Sequence, residues 1–274
     1  MNQADKADQW GARAPRGVGK LLVQARKLGL ARGPVKKMMA RLWSGLRLPA
    51  PVDIQYAGLK FRVHPWDNVV ENKMLFGSKL RDWTEIEKLG EFAGNGGVFL
   101  DIGANIGYYS LMAVHQGAAR ALAFEPNPAV LSRLQFNVEA NQLANRIKAL
   151  PVALGDRVAT TTMLVSDRDM GGSHIGDHGD APGTPIEVQM KPLGDVLAEE
   201  GIVRVDAMKI DVEGMEDAVL FPFFETSPRS LWPRLVIIEH TSEKQWKRNI
   251  LAWMLESGYR EIGRNRSNAI LRLG

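Results

Sequence analysis

Cysteine is absent from the 274 residues. That excludes a disulfide framework and any cysteine-ligated metal site, and it leaves the redox compartment unread. Long apolar runs are missing as well. None approaches the roughly 18 residues a membrane-spanning helix needs. Near the N-terminus Lys20, Arg26 and Lys27 interrupt the apolar residues. This argues against a secretory signal and makes the cytoplasm the expected location. There is no internal repeat, which excludes a solenoid or propeller, and no low-complexity tract. Acid is scarce at one end only. Residues 1–47 hold eleven Lys and Arg against Asp5 and Asp8, a net of +9. The whole chain carries +4, so the other 227 residues carry −5. The basic character belongs to an N-terminal arm and not to the body.

What is present is the composition of a globular chain, with 45% hydrophobic and 24% charged residues. The length allows one large α/β domain with an appendage, or two small domains. Three regions are expected: a basic, partly helical arm over 1–47, a hairpin with helices over 48–97, and a main domain over 98–274. In the arm, Leu21, Leu22, Ala25 and Leu28 fall on one helical face. Gly29–Gly33 breaks the pattern and Pro34 suits a first helical position. The arm is read as a solvated helical pair packed on the body. The alternative reading is a basic amphipathic surface, peripheral to an anionic membrane or for a partner. Aromatic–basic interleaving of the kind that holds nucleic acid is not seen.

Residues 52–63 alternate about Ala57-Gly58 as a hairpin does, and 67–93 are helical in pattern. From residue 98 the chain alternates regularly. Strands are expected at 98–102, 120–125, 147–153, 205–210 and 234–239, with helices at 107–116, 128–141, 192–200, 215–224 and 243–257. Such alternation specifies a parallel sheet covered on both faces. Extra strands are expected at 158–165 and 186–191 around a polar loop, 166–185, and a closing antiparallel hairpin at 259–263 and 268–273. His174 and His178 in the glycine-rich loop lack a helix that would give their spacing meaning. That loop is read as a mobile cover and not as a metal site.

The chemistry concentrates where strands end. VFLDIGANIGYYSL, from Val98, runs a strand through Asp101 into a bend with Gly103, Asn105 and Gly107. Gly103 lets the chain leave the strand, and Gly107 permits close approach of helix to ligand or strand. Asp101 would repel a pyrophosphate, which disfavours a dinucleotide and favours a ligand with a positive or neutral head. FEPNP follows, with Glu125 ending the second strand 24 residues after Asp101. A carboxylate there can accept both hydroxyls of a ribose. PVALGD brings Ala153, Leu154 and Asp156 to a third strand end, suited to a flat adenine. MKIDVEGMED alternates Lys209, Asp211 and Glu213 at the edge of a central strand. Three ionisable groups there are costly as core and suit a site. IIEH ends the next strand with Glu239 and His240, and His240 is expected beside Asp211 and Glu213.

These five strings, in this order, resemble the FkbM family of S-adenosylmethionine-dependent methyltransferases. The resemblance runs from about Asn95 to the C-terminus. It implies a class I methyltransferase fold, a Rossmann-like, mostly parallel seven-stranded sheet ending in an antiparallel hairpin. It implies S-adenosyl-L-methionine as cofactor, with Asp101, Gly103, Asn105 and Gly107 around the methionine part, Glu125 on the ribose, and Ala153, Leu154 and Asp156 framing the adenine. It implies an acceptor hydroxyl on a sugar, glycan or secondary metabolite, not a nucleic acid. Asp211, Glu213 and His240 are expected on the acceptor side, with Lys209 tuning the carboxylates. No metal is assigned, and a divalent ion stays open. A nicotinamide-dependent dehydrogenase, an amine or nucleic-acid methyltransferase, and an idle cofactor-binding module with a membrane- or partner-binding arm are the alternatives. The first would want G-x-G-x-x-G, and the second an Asn/Asp-Pro-Pro-aromatic run after strand four, where this chain has Asp-Val-Glu-Gly.

Overall fold

Four short apolar runs, each followed or ended by a glycine or an acid, lie side by side in the computed structural model of the chain, which describes residues 9–77, 82–166, 169–175 and 183–274. They are β3 (Val98–Ile102), β4 (Arg120–Phe124), β10 (Ala207–Ile210) and β11 (Leu235–Glu239). With β5 (Ile147–Leu150) and the hairpin β12 (Tyr259–Arg264) and β13 (Asn268–Leu273) they form a seven-stranded sheet, in the order β12-β13-β11-β10-β3-β4-β5. The five central strands run parallel, and β13 pairs antiparallel with both β11 and β12. Strand order reverses direction between β3 and β10, which is where an open α/β sheet leaves a crevice at its carboxyl edge.

Alternation along the strands sorts the side chains between two layers. Phe99, Ala121, Ala123, Ala207, Leu235 and Ile237 face one apolar cluster. It is shared with α4 (Trp83–Ala93), α5 (Tyr108–His115) and α6 (Pro128–Ala140). The hairpin β1 (Val52–Tyr56) and β2 (Leu59–Val63) belongs to it too. Leu100, Ile102, Leu122, Phe124, Met208, Ile210, Val236 and Ile238 face the other cluster. That layer is covered by α7 (Leu193–Glu199), α8 (Glu216–Thr226) and α9 (Ile250–Glu256). Each large apolar side chain so buried is worth about 1.5–3 kcal/mol. Asp101 and Lys209 share the parity of the first layer and are 1% and 3% exposed. They are charged groups in an otherwise apolar face, at the sheet's carboxyl edge.

The remaining strands, β6 (Ala153–Leu154), β7 (Ala159–Val165), β8 (His174–Ile175) and β9 (Thr184–Lys191), make a smaller sheet in the order β6-β9-β7-β8. The arm forms α1 (Gly17–Lys27) and α2 (Pro34–Gly45), and α3 (Val69–Phe76) packs beneath both.

Three expected elements differ in extent. The strand expected over 147–153 is two pieces, since Pro151 has no N–H to continue a ladder. The strand expected from 205 starts at Ala207; just ahead of it Asp206 still donates its amide to the Val98 carbonyl, and its carboxylate accepts from the Val98 amide. The helix expected over 243–257 is a 3₁₀ turn at Glu243–Gln245 and then α9. Between them the amides of Lys247 and Arg248 donate to Asp217 Oδ2, and Asn249 caps the helix by accepting from Ala252. In the loop expected over 166–185, a 3₁₀ turn at Met170–Gly172 and β8 are ordered elements. His174 begins β8, and His178 lies outside the described residues.

Candidate active site

The cleft opens where β3, β4, β10 and β11 end, and the turn after β3 divides it. Gly103 has φ of 76°, and a Cβ there would collide with the Asp211 carbonyl oxygen. Only glycine lets β3 leave the sheet against the backbone that follows β10. Two residues on, Asn105 holds φ of 51° and donates its amide to Glu125 Oε2 at 2.9 Å. Glu125 Oε1 accepts from the Asn127 amide, also at 2.9 Å. One buried carboxylate therefore clasps the turns after β3 and β4 together. Burial pushes its pKa up to about 7 against the pull of those two amides.

Asp101 is fixed in a similar way. Its Oδ2 accepts from the Ser110 amide at 2.8 Å and the Ser110 hydroxyl at 2.6 Å. Burial raises its pKa to about 6, while Ser110 and Lys209, its register partner on β10, oppose the rise. Gly107 does something different from the expected contact with the methionine part. It caps α5 at φ 83°, and a Cβ would press on Leu134 and Leu111 at 3.1 and 3.2 Å. It is a packing glycine between α5 and α6, and it does not line the cleft.

One half of the cleft, about 590 Å³, is walled by Ile102, Phe124, Val152, Ala153, Leu154, Met163 and Ile175, with Glu125 at its rim. Ala153 and Leu154, expected to frame an adenine, line this half. Asp156 does not. It is exposed, pairs with Arg157 at 3.2 Å, and is not among the lining residues, because the chain turns outward after β6. The other half, about 1180 Å³, is lined by Asp101, Asp169, Asp211, Glu213 and Glu239, with Asp82, Lys73 and Lys209 and the rings of Tyr56, Tyr108 and Tyr109. Gly103, Gly171, Asp211 and Glu213 border both halves.

Lys209 and Asp211 do meet, Nζ to Oδ2 at 3.0 Å, and the lysine ammonium lies 5.6 Å from the centre of the Tyr109 ring. Glu213 follows in a left-handed conformation at φ 53° and faces the cleft. Burial, then repulsion from Asp211 and Glu239, lifts its pKa to about 7. His240 is not its neighbour. Its amide donates to the Ser267 carbonyl, its Nε2 lies 3.3 Å from the Asn265 carbonyl oxygen, and it lines neither half. Glu239 takes that place, 6% exposed, with its pKa raised to about 7 by burial and then by Asp211. The reason is parity. Lys209 pairs with Ile237, so Asp211 is level with Glu239, and the next residue points to the other face. Counting in twos from Leu235 selects Glu239 from the sequence alone.

Asp211, Glu216 and Glu239 bring one carboxylate oxygen each within 4.8 Å of one another, a spacing that could hold a cation. Glu216 is already spent: Oε1 accepts from the Val212 amide and Oε2 from the Trp246 indole. Its pKa is raised by burial.

Part of the loop expected as a mobile cover, Met170–Gly172, forms a strap over the cleft with anchors that sequence patterns did not reveal. The turn Met170–Gly172 hydrogen-bonds through the Met170 amide to the Asp67 carbonyl, and Asp169 accepts from the Val69 amide at 3.1 Å. A Cβ on Gly171 would strike the Asn105 side chain. Asn68 Nδ2 donates to Asn105 Oδ1 at 2.8 Å. Arg133 secures the far side by pairing with Asp67 and Glu71, each at 2.7 Å.

A parallel sheet closed by an antiparallel hairpin, with a glycine turn after its first main strand and acids at the next strand ends, defines the class I, Rossmann-like methyltransferase fold. A Streptococcus mutans protein assigned as an S-adenosylmethionine-dependent methyltransferase aligns with it at a TM-score of 0.50 and 12% identity, over 82% of this chain and 56% of that one. The Methyltransferase FkbM domain matches residues 101–261, more than half of the chain. The chain belongs to the FkbM methyltransferase family. It is 30% identical to methyltransferase sdnD of Sordaria araneosa over 44% of this chain, and to 31-O-demethyl-FK506 methyltransferase FkbM of Streptomyces tacrolimicus over 51%. The matched stretches span 58% and 63% of those two relatives.

Proposed function

We propose that the chain transfers a methyl group from S-adenosyl-L-methionine to a hydroxyl oxygen of a sugar, glycan or related metabolite. The observation that carries the reading is the distribution of charge in the cleft. Asp101 and Glu125 flank the glycine turn, where a pyrophosphate would be repelled and a cationic methionine head attracted. The residues fit that cofactor in three places: the wall of Ala153 and Leu154 for the adenine, Glu125 for the ribose, and Asp101 with Gly103 and Asn105 for the methionine end. When bound, the cofactor supplies an electrophilic methyl on a cationic sulfur. The name of one relative describes an O-demethyl compound as what it methylates, which supports an oxygen acceptor here.

On the acceptor side, Glu213 and Glu239 are the candidate bases. Their pKa values near 7 suit a group that must take a hydroxyl proton at neutral pH. Lys209 pairs with Asp211 and keeps its carboxylate in place to orient the acceptor. With the cofactor bound, one of these carboxylates would take the hydroxyl proton while the oxygen, held in line, would accept the methyl that the cofactor's sulfur would release. The ammonium of Lys209 already supplies a cation at Asp211, so exhaustive chelation is expected to leave the rate unchanged. Calorimetry with S-adenosylhomocysteine and with NAD tests the cofactor, and labelled-methyl transfer to glycans with mass spectrometry of the product tests the acceptor. Heat with NAD alone, or label found only on nitrogen, would sink the reading.

A further inference from the structure

The arm presents a second feature, independent of the cleft. From residue 9 to residue 52 there are ten Lys and Arg and not one Asp or Glu. One of them, Arg26, turns inward and donates to the carbonyls of Met74 and Gln55. Arg16, Lys20, Lys27, Arg32, Lys37 and Arg41 are exposed. So are large apolar side chains. Val18, Leu21 and Leu28 share a face of α1 and its end, and Val35, Met38 and Leu42 share a face of α2. Leu21 is 64% and Leu28 77% exposed. The two helices are one unit, for a Cβ on Gly19 would lie 3.3 Å from the Trp43 ring. Their buried faces rest on α3, so these stripes are surplus to the arm's own packing.

We infer that this arm is a docking surface for an anionic lipid bilayer. Exposed leucine and methionine flanked by lysine and arginine match the boundary between acyl chains and acidic headgroups. A second copy of the chain would bring two strongly positive arms together. A nucleic acid would want exposed aromatic platforms among the basic side chains, yet within the arm Trp43 is buried and Trp10 is half-buried beneath Lys60. The surface also continues toward the cleft. Beyond the arm's helices, Trp66 is exposed, with its ring tilted against that of Phe76 at 5.8 Å, and Phe76 touches Trp43 of α2 in turn. Val69, exposed at the start of α3, lines the acidic half.

The test is co-sedimentation of the full chain with phosphatidylcholine vesicles, with and without about one-third phosphatidylglycerol, at low and high salt. Binding is expected to the acidic vesicles, with at least about a tenfold loss in neutral vesicles or high salt. The K20Q/K27Q/R32Q/R41Q chain and the L21Q/L28Q/M38Q/L42Q chain should each lose about tenfold or more, with melting temperature and cofactor affinity unchanged. Equal binding to neutral vesicles overturns the inference. So does a wild-type dimer that the apolar variant dissociates while no vesicle is bound, or retention on RNA but not on vesicles.

Discussion

Two groups of carboxylates in the cleft are held in opposite ways. Beside the glycine turn, each is tied by backbone amides: Glu125 by Asn105 and Asn127, Asp101 by Ser110. On the acceptor side the acids crowd one another. Asp211 has Lys209, but repulsion from Asp211 adds to burial in raising both Glu213 and Glu239. Glu239 Oε1 accepts from the Thr241 amide and hydroxyl, while its Oε2 is buried with no partner. A carboxylate satisfied by fixed amides is part of the architecture. One left short of partners keeps capacity for a proton or a hydroxyl.

The largest expected effect tests that contrast directly. Glu213→Gln and Glu239→Gln should together lower turnover by about 10²–10⁴-fold, with cofactor affinity by calorimetry unmoved. Full turnover in both single variants would remove these acids from the mechanism. Gly103→Ala comes next. Its Cβ has nowhere to go against Asp211, and its φ is left-handed, so a loss of about 1–3 kcal/mol or more is expected in denaturant unfolding. A variant as stable as wild type would show that the turn is looser than described. Glu125→Gln keeps the shape of the clasp and removes its charge. Cofactor affinity should fall by about tenfold to a hundredfold, as for loss of hydrogen bonds to a charged group, with a smaller drop in melting temperature. If only stability falls, Glu125 is a clasp and nothing else.

The smallest effect is in pH. Asp101, Glu125, Glu213 and Glu239 all have pKa values raised by burial, to about 6 or 7. The folded chain therefore holds protons that the unfolded chain has released. Stability from this source is full below the ordinary carboxylate range and is lost as pH rises through about 7. A cationic ligand favours the ionised acids, so affinity for S-adenosyl-L-methionine should rise from pH 6 to 8 with release of protons. Calorimetry in buffers of different ionisation enthalpy reads that release. Flat affinity with no proton release would mean that the acids do not face the ligand.

Most of the architecture was legible because it follows period. Apolar runs of four or five residues, each closed by glycine or acid, place β3, β4, β10 and β11 almost to the residue, and the closing hairpin likewise. The misreadings have local causes: Pro151, which has no N–H to continue a ladder, and Asp217 and Asn249, whose side chains take backbone amides before α9. At the site, residues at strand ends were readable, since alternation assigns their face. His240 was chosen over Glu239 because a histidine carries more chemical suggestion than a parity count. The loop holding Met170–Gly172 was readable as a cover, but its anchors were not. It is held by Asp67, Asn68, Asn105 and Arg133, which are scattered along the chain and meet only in space.

The clasp at Glu125 carries a consequence for anyone wishing to retune the protein. The carboxylate proposed to hold a ribose also fastens two turns, so on that proposal ligand preference and loop closure share one side chain. A change made there to admit a different cofactor would be felt as loosening before it was felt as selectivity. Ala153 and Leu154 tie β6 to β9 through their backbone and not their side chains, so redesign of that wall can begin without that penalty.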